Sequence, residues 1–233
     1  MKRKTQQSLL QKGFTLVELS VVLVVIGLIL GAVAIGRDLQ RNAAYQRIST
    51  DFVQGWLLAY DGFVAGTGIV PGDNAAAPTG RVNAGTDALC GRELVNAFLA
   101  AGIRVPEGRA EGQRSHAAYL DSNGNPQDVE VCFQNITWAE PGASVDSYEQ
   151  RPRNVMVLKG VTPALAMLLD SQIDGHPDAR FGRVRESRLA GDKSITTGQA
   201  WSVDERMAYG SKDATGRDED QVAVVEAVVQ MTR

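Results

Sequence analysis

Residues 14–36 read Phe14-Thr15-Leu16-Val17-Glu18-Leu19-Ser20-Val21-Val22-Leu23-Val24-Val25-Ile26-Gly27-Leu28-Ile29-Leu30-Gly31-Ala32-Val33-Ala34-Ile35-Gly36. No residue from Leu19 to Gly36 is charged. Wound as an α-helix at ~1.5 Å per residue, the run from Phe14 to Ile35 is roughly 33 Å long, enough to cross a hydrocarbon core of roughly 30 Å. Ahead of it stand Lys2, Arg3, Lys4 and Lys12, with no acid among them. The positive-inside tendency holds that end in the cytoplasm and sends the C-terminal part of the chain outside. One residue does not suit lipid. Glu18 lies within the segment, where a carboxylate costs roughly 2.5–3.5 kcal/mol near the bilayer centre, so it needs a partner.

Composition sets wider bounds. A chain of 233 residues with 44% hydrophobic residues can hold one packed domain and an appendage. The net charge is −3, and because four cations precede Phe14, the remainder is more acidic than that figure. An acidic body with no basic run excludes nucleic acid as a main partner, since phosphate binding needs clustered Lys and Arg. Catalytic patterns are missing too. The two histidines, His116 and His176, have no zinc spacing and stand near no Gly-x-Ser-x-Gly turn, and no phosphate-cradling glycine loop occurs. Of the acids that could invite a catalytic reading, Asp170 and Asp174, one helical turn apart, are the leading pair, and surface solvation is the competing reading. The chain is expected to need no cofactor and to be no enzyme.

Gly13-Phe14-Thr15-Leu16-Val17-Glu18, behind a basic leader and ahead of an apolar run, resembles the processing site of type IV prepilins and of the pseudopilins of type II secretion. The resemblance implies that a prepilin peptidase cuts between Gly13 and Phe14 and methylates the new Phe14 terminus. It makes Glu18 the acidic residue used in assembly. It further implies as partners other pilin subunits, contacted through the N-terminal helix, an inner-membrane assembly platform and an assembly ATPase. The implied product is a structural subunit of a pilus or pseudopilus, first anchored in the inner membrane by one span, with its C-terminal domain in the periplasm or outside the cell. Elementary physics asks for the same residues. Cleavage leaves an ammonium at Phe14 in lipid, as costly alone as Glu18, and pairing with the Glu18 of a neighbouring subunit would set the stagger between helices. Gly13 lets a protease approach the backbone closely.

Two other readings compete. Ala32-Val33-Ala34 fits the small-residue pattern of a secretory signal, which would leave Ile35 as the terminus, and an uncut signal anchor would keep Met1. Either would belong to an extracytoplasmic binding protein that does not polymerise. The resemblance also has a departure: many major type IV pilins carry a proline within the membrane segment, whereas this chain has Gly27, Gly31 and Gly36. The Gly27-x-x-x-Gly31 spacing allows close helix contact.

Beyond Arg37 the apolar residues become periodic. Tyr45, Ile48, Phe52, Trp56 and Tyr60 recur every three or four positions, one stripe of an amphipathic helix, and no proline intervenes between Phe14 and Pro71. The expected organisation is a leader at 1–13, a membrane helix at 14–36, its amphipathic continuation at 37–63, and a globular domain at 64–233. Residues 65–88 read as a long loop in which Asp73 follows a Pro-Gly pair. A short helix is expected from Glu93 to Ala101. Strands at 117–120 and 129–133 flank the turn Asp121 to Pro126. Val155–Leu158 forms a third strand, Thr162-Pro163 opens a helix, and 222–229 is a terminal strand. The fold class is therefore α+β, with a long N-terminal helix packed on an antiparallel sheet, as the resemblance also implies.

Cys90 and Cys132 are the only cysteines. Outside the cytoplasm such a pair oxidises, and closing a loop of about 40 residues contributes on the order of 4 kcal/mol in the loop-entropy model. Asp213, Asp218 and Asp220, with Glu219 beside them, are weak calcium candidates before the last strand, although they lack the spacing of a calcium loop. Solvated acids are the alternative, and no metal is expected.

Overall fold

The computed structural model describes residues 14–108, 113–201 and 223–232. The chain divides at Asn42/Ala43 into two units. In the first, α1 (Leu16–Arg47) begins and contains Leu16–Val33, an 18-residue stretch long and apolar enough to span a membrane and buried against nothing in the chain. Gly27, Gly31 and Gly36 have no atom within 4 Å of where a Cβ would stand.

The second unit starts with the last residues of α1. A π-helical turn, Ile48–Val53, follows, and then α2, Gln54–Thr67. Helical hydrogen bonding thus extends past Gly62 and stops at Gly68, a glycine in the left-handed region (φ 79°) that ends a helix without a Cβ penalty. The expected stripe is buried as Tyr45, Ile48, Phe52, Trp56 and Tyr60, joined by Val53, Phe63 and Val64. The π turn also carries a polar clasp to a later helix. The Ser49 hydroxyl donates to Gln172 Oε1, and Gln172 Nε2 donates to Gln46 Oε1 at 2.6 Å.

Among the described residues one six-stranded antiparallel sheet receives that stripe. Its strands are β1 (Leu89–Cys90), β2 (His116–Leu120), β3 (Pro126–Pro141), β4 (Tyr148–Val161), β5 (Val184–Glu186) and β6 (Val225–Gln230). The order is β1-β3-β4-β6-β5, with β2 on the same edge of β3 as a hairpin partner. Helices α3 (Gly91–Ala100), α4 (Pro163–Asp174) and the single turn α5 (Ser187–Ala190) fill the connections. Thr162 caps α4 through its side chain, with Pro163 at the first turn. This is the expected α+β arrangement, a long N-terminal helix with an antiparallel sheet, although β3 and β4 are far longer than their apolar cores suggested.

Side chains alternate across a strand, and both faces of this sheet are buried. Val129, Val131 and Phe133 of β3, Met156 and Leu158 of β4, and Ala227 and Val229 of β6 join the helical stripe in the main core. Cys132, Trp138, Val155, Val157 and Val228 face the other way into a smaller core with Ala190. Arg185 covers this second core, its guanidinium 4.1 Å from the Trp138 ring centroid and Nη1 donating to the carbonyls of Ala139 and Ala190. Burial draws its pKa down to about 10, and the nearby Arg180 charge adds to this. At Gly160 a bulge between Leu158 and Val161 brings the backbone so near Asp128 that a Cβ would lie 2.2 Å from its carbonyl oxygen.

The densest point of the main core is aromatic. Phe133 lies 5.0 Å from Tyr60, 5.8 Å from Phe98 and 6.2 Å from Trp56 between ring centroids, tying α2 and α3 to the sheet. Phe133→Ala removes the shared member of three ring contacts and leaves a cavity. The expected loss is about 3–5 kcal/mol, read as a lower denaturation midpoint with an unchanged slope.

Candidate functional site

Three groups of residues carry chemistry. At the N-terminal segment, the Thr15 backbone N–H donates to Glu18 Oε2 at 2.9 Å, the Thr15 hydroxyl donates to the same oxygen at 2.9 Å, and the Glu18 N–H donates to the Thr15 hydroxyl at 3.2 Å. This is a reciprocal capping box, two otherwise orphaned N–H groups satisfied at the start of α1. Thr-x-x-Glu ahead of an apolar run carries that signal in the sequence. Both bonds to the carboxylate fall on one oxygen. Phe14 is 89% exposed and Leu16 86%, so the apolar start of the helix presents its side chains outward. Gly13 lies outside the described residues.

The second group surrounds the disulfide, which joins Cys90 to Cys132. These residues stand opposite one another across the β1–β3 ladder. Two positions earlier on β3, and so on the same face, Glu130 is flanked in register by His116 of β2 and Lys159 of β4. Lys159 Nζ lies 3.5 Å from Glu130 Oε2 and 3.6 Å from Cys90 Sγ. His116 Nδ1 is 2.6 Å from Asp128 Oδ2, and its Nε2 is 3.7 Å from Glu130 Oε1. Sequence reasoning missed this row, because residues 116, 130 and 159 become neighbours only through strand register. His176 is exposed and forms no part of it.

The third group is acidic, and its members hold backbone. Asp174 Oδ2 accepts from the N–H groups of Arg183 and Val184. Asp170, fully buried, uses Oδ2 to accept from the Asp178 N–H at 2.7 Å and the Trp201 indole N–H at 2.6 Å, while Oδ1 has no hydrogen-bond partner. Burial pushes the Asp170 carboxyl up to about 6; the Trp201 and Asp178 bonds oppose this and the Asp174 carboxylate adds to it. Asp73 binds its own loop, accepting from the N–H groups of Asn74, Thr79 and Gly80 and from the Thr79 hydroxyl. Burial alone would raise its pKa, but these bonds together outweigh burial and hold the carboxyl below the usual carboxylate range. Asp213, Asp218, Glu219 and Asp220 lie outside the described residues. Among the described residues, the one set of potential metal ligands that converges is Cys90, Glu130 and Cys132, and its two sulfurs are bonded to each other.

Residues 9–34 match the family described as the prokaryotic N-terminal methylation motif, the signature of type IV prepilins and pseudopilins. No curated protein and no solved structure matches the chain. The motif supports a pilin-like or pseudopilin-like protein processed by prepilin peptidase, and the family that carries the motif is structural rather than catalytic. With the apolar span of α1, it also fits a membrane-anchored chain.

Asp170 gives this site a pH signature. A carboxyl whose folded pKa exceeds its unfolded value binds its proton more tightly in the native state, so its contribution is full below about pH 4 and is lost as pH rises through about 6. The change amounts to about 2–3 kcal/mol at 1.36 kcal/mol per unit. Asp170→Asn keeps an oxygen for Trp201 and Asp178 without the buried charge. Urea melts at pH 4.5 and 7.5 are expected to show the variant more stable than the parent at the higher pH only.

Proposed function

We propose that this chain is a structural subunit of a type IV pilus or of a type II secretion-like pseudopilus, cut between Gly13 and Phe14, methylated on Phe14, and assembled through its N-terminal helix. The observation that carries this reading is the joining of the methylation motif to a helix start whose acid, Glu18, lies four residues past the cut. A secretory signal or plain anchor would leave Glu18 its capping role but would create no ammonium at Phe14 for it to pair with.

The capping box adds a mechanism. While Oε2 of Glu18 closes the first helical turn onto Thr15, Oε1 is left to accept from the Phe14 ammonium that cleavage creates on a neighbouring subunit. One carboxylate then satisfies its own helix end and a second charge, and neither ion sits alone in lipid. Since the axial position of that ammonium relative to Glu18 is fixed by the contact, the pair sets helix register, while Leu16–Val33 supplies the apolar surface.

In this reading residues 1–13 are the cytoplasmic leader, 14–36 the membrane and polymerisation helix, 37–63 its amphipathic continuation, and 64–233 the domain outside the inner membrane. The partners are other pilin subunits, the prepilin peptidase and the inner-membrane platform. A long loop after α2, pinned by Asp73 in place of regular structure, suits a minor or specialised subunit better than one repeated along a close-packed shaft.

Two measurements test this. Terminal sequencing of the exported protein is expected to begin at N-methylated Phe14, and a chain beginning at Ile35 or Met1 would end the proposal. Glu18→Val is expected to be cut at the normal rate yet to fall at least about tenfold in the sheared filament fraction, the scale of a 1.4 kcal/mol loss. Wild-type yield of filaments from that variant would remove Glu18 from assembly.

A further inference from the structure

The two sulfurs of the disulfide are not equivalent. Cys132 is fully buried in the second core, whereas Cys90 is half-buried at the sheet edge. Cys90 is also the N-cap of the ten-residue helix α3, where the helix end favours negative charge. Independently, Lys159 Nζ lies 3.6 Å from its sulfur. An ammonium and a helix N-terminus both favour the ionised sulfur, and it is the thiolate that reacts. The other charges nearby are Glu130 and Asp128 on β3, His116 on β2, and Arg92 and Glu93 in the first turn of α3. Glu130 opposes a thiolate, but Lys159 at 3.5 Å offsets its charge.

We propose that Cys90 is the reactive sulfur of this pair, through which a disulfide-bearing oxidoreductase of the outer compartment installs the bridge, and that Lys159 is the positioning residue that activates it. In the reduced chain the Cys90 thiolate attacks one sulfur of the oxidant's disulfide. A bond forms from Cys90 to that sulfur, and the oxidant's other sulfur leaves as a thiolate and takes a proton. Cys132 then loses its proton to the Glu130 carboxylate, which lies within 4.8 Å of both sulfurs, and attacks Cys90 Sγ. The mixed disulfide breaks and the oxidant departs as a dithiol. Two electrons pass from the cysteine pair to the oxidant. Run backwards, an external thiolate attacks Cys90, the less buried cysteine, and Cys132 leaves. The row His116–Glu130–Lys159 thus serves exchange at one defined atom.

The test uses the full chain in detergent, with oxidised glutathione as the disulfide probe and peptide mapping as the readout. Cys132→Ser is expected to take up glutathione on Cys90 about tenfold faster than Cys90→Ser takes it up on Cys132. In the Cys132→Ser background, Lys159→Met should slow the reaction at pH 6 on the order of tenfold and move the rate–pH profile upward, with Lys159→Arg restoring it. A role limited to packing would leave that profile in place. Should the serine variants fold poorly, the reduced wild-type chain is exposed briefly to the same probe and quenched with acid, and the adduct is expected on Cys90. Equal labelling of both cysteines, adduct on Cys132, or a Lys159→Met profile superimposable on that of its parent would overturn the proposal.

Discussion

Everything in the second unit is organised by the contact of the helical stripe with β3. A two-faced sheet must cover both sides, and a helix with one apolar stripe must bury it. Phe133 resolves both needs at once, since it is a strand residue on the helix side and the ring that Trp56, Tyr60 and Phe98 share. With those rings in place, β3 lies at a defined height on α2, and the register of β4 and β2 against β3 follows from hydrogen bonding. The second core, with Cys132 and Trp138, follows in turn because the alternate residues of the same strands face the other way.

The first unit obeys a different solvent. Leu16–Val33 buries no side chain within the chain, and a segment so apolar has no stable place in water. Its capping box closes the polar end of the helix with local atoms alone, so that end needs no partner from the rest of the chain. Glu18 is thus an acid with a task inside one chain before any neighbour is considered. That combination explains why a carboxylate belongs in an otherwise uncharged run.

Elsewhere, acids that looked like possible ligands or catalysts turn out to fasten the backbone. Asp73 draws together residues 74–80, a stretch that belongs to no helix or strand. Asp174 anchors the start of β5, and Asp170 ties α4 to the segment that follows it through Asp178 and Trp201. A carboxylate can accept several N–H bonds, so it suits long connections whose backbone donors lack partners. Asp170 does this while buried, and that burial is the main reason its carboxyl holds a proton to higher pH than usual.

What the sequence determined by itself is what depends on nearest neighbours along the chain. The membrane run, the basic leader, the Gly13-Phe14 motif, the stripe from Tyr45 to Tyr60, the Thr162 cap and the hairpin around Asp121 to Pro126 are all local patterns of polarity or turn chemistry, and a period of 3.6 or 2 survives any tertiary arrangement. The Thr15–Glu18 box was equally local and needed only its own pattern to be read. Tertiary structure decided the rest. The ends of β3 and β4 beyond their apolar cores, where Glu140 and Arg153 bond across the ladder at 2.5 Å, are held as strands by pairing with each other. The neighbourhood of Cys90 was equally illegible: Lys159 is 69 residues away along the chain and reaches the sulfur because strand register places it there, and register is a property of the folded sheet.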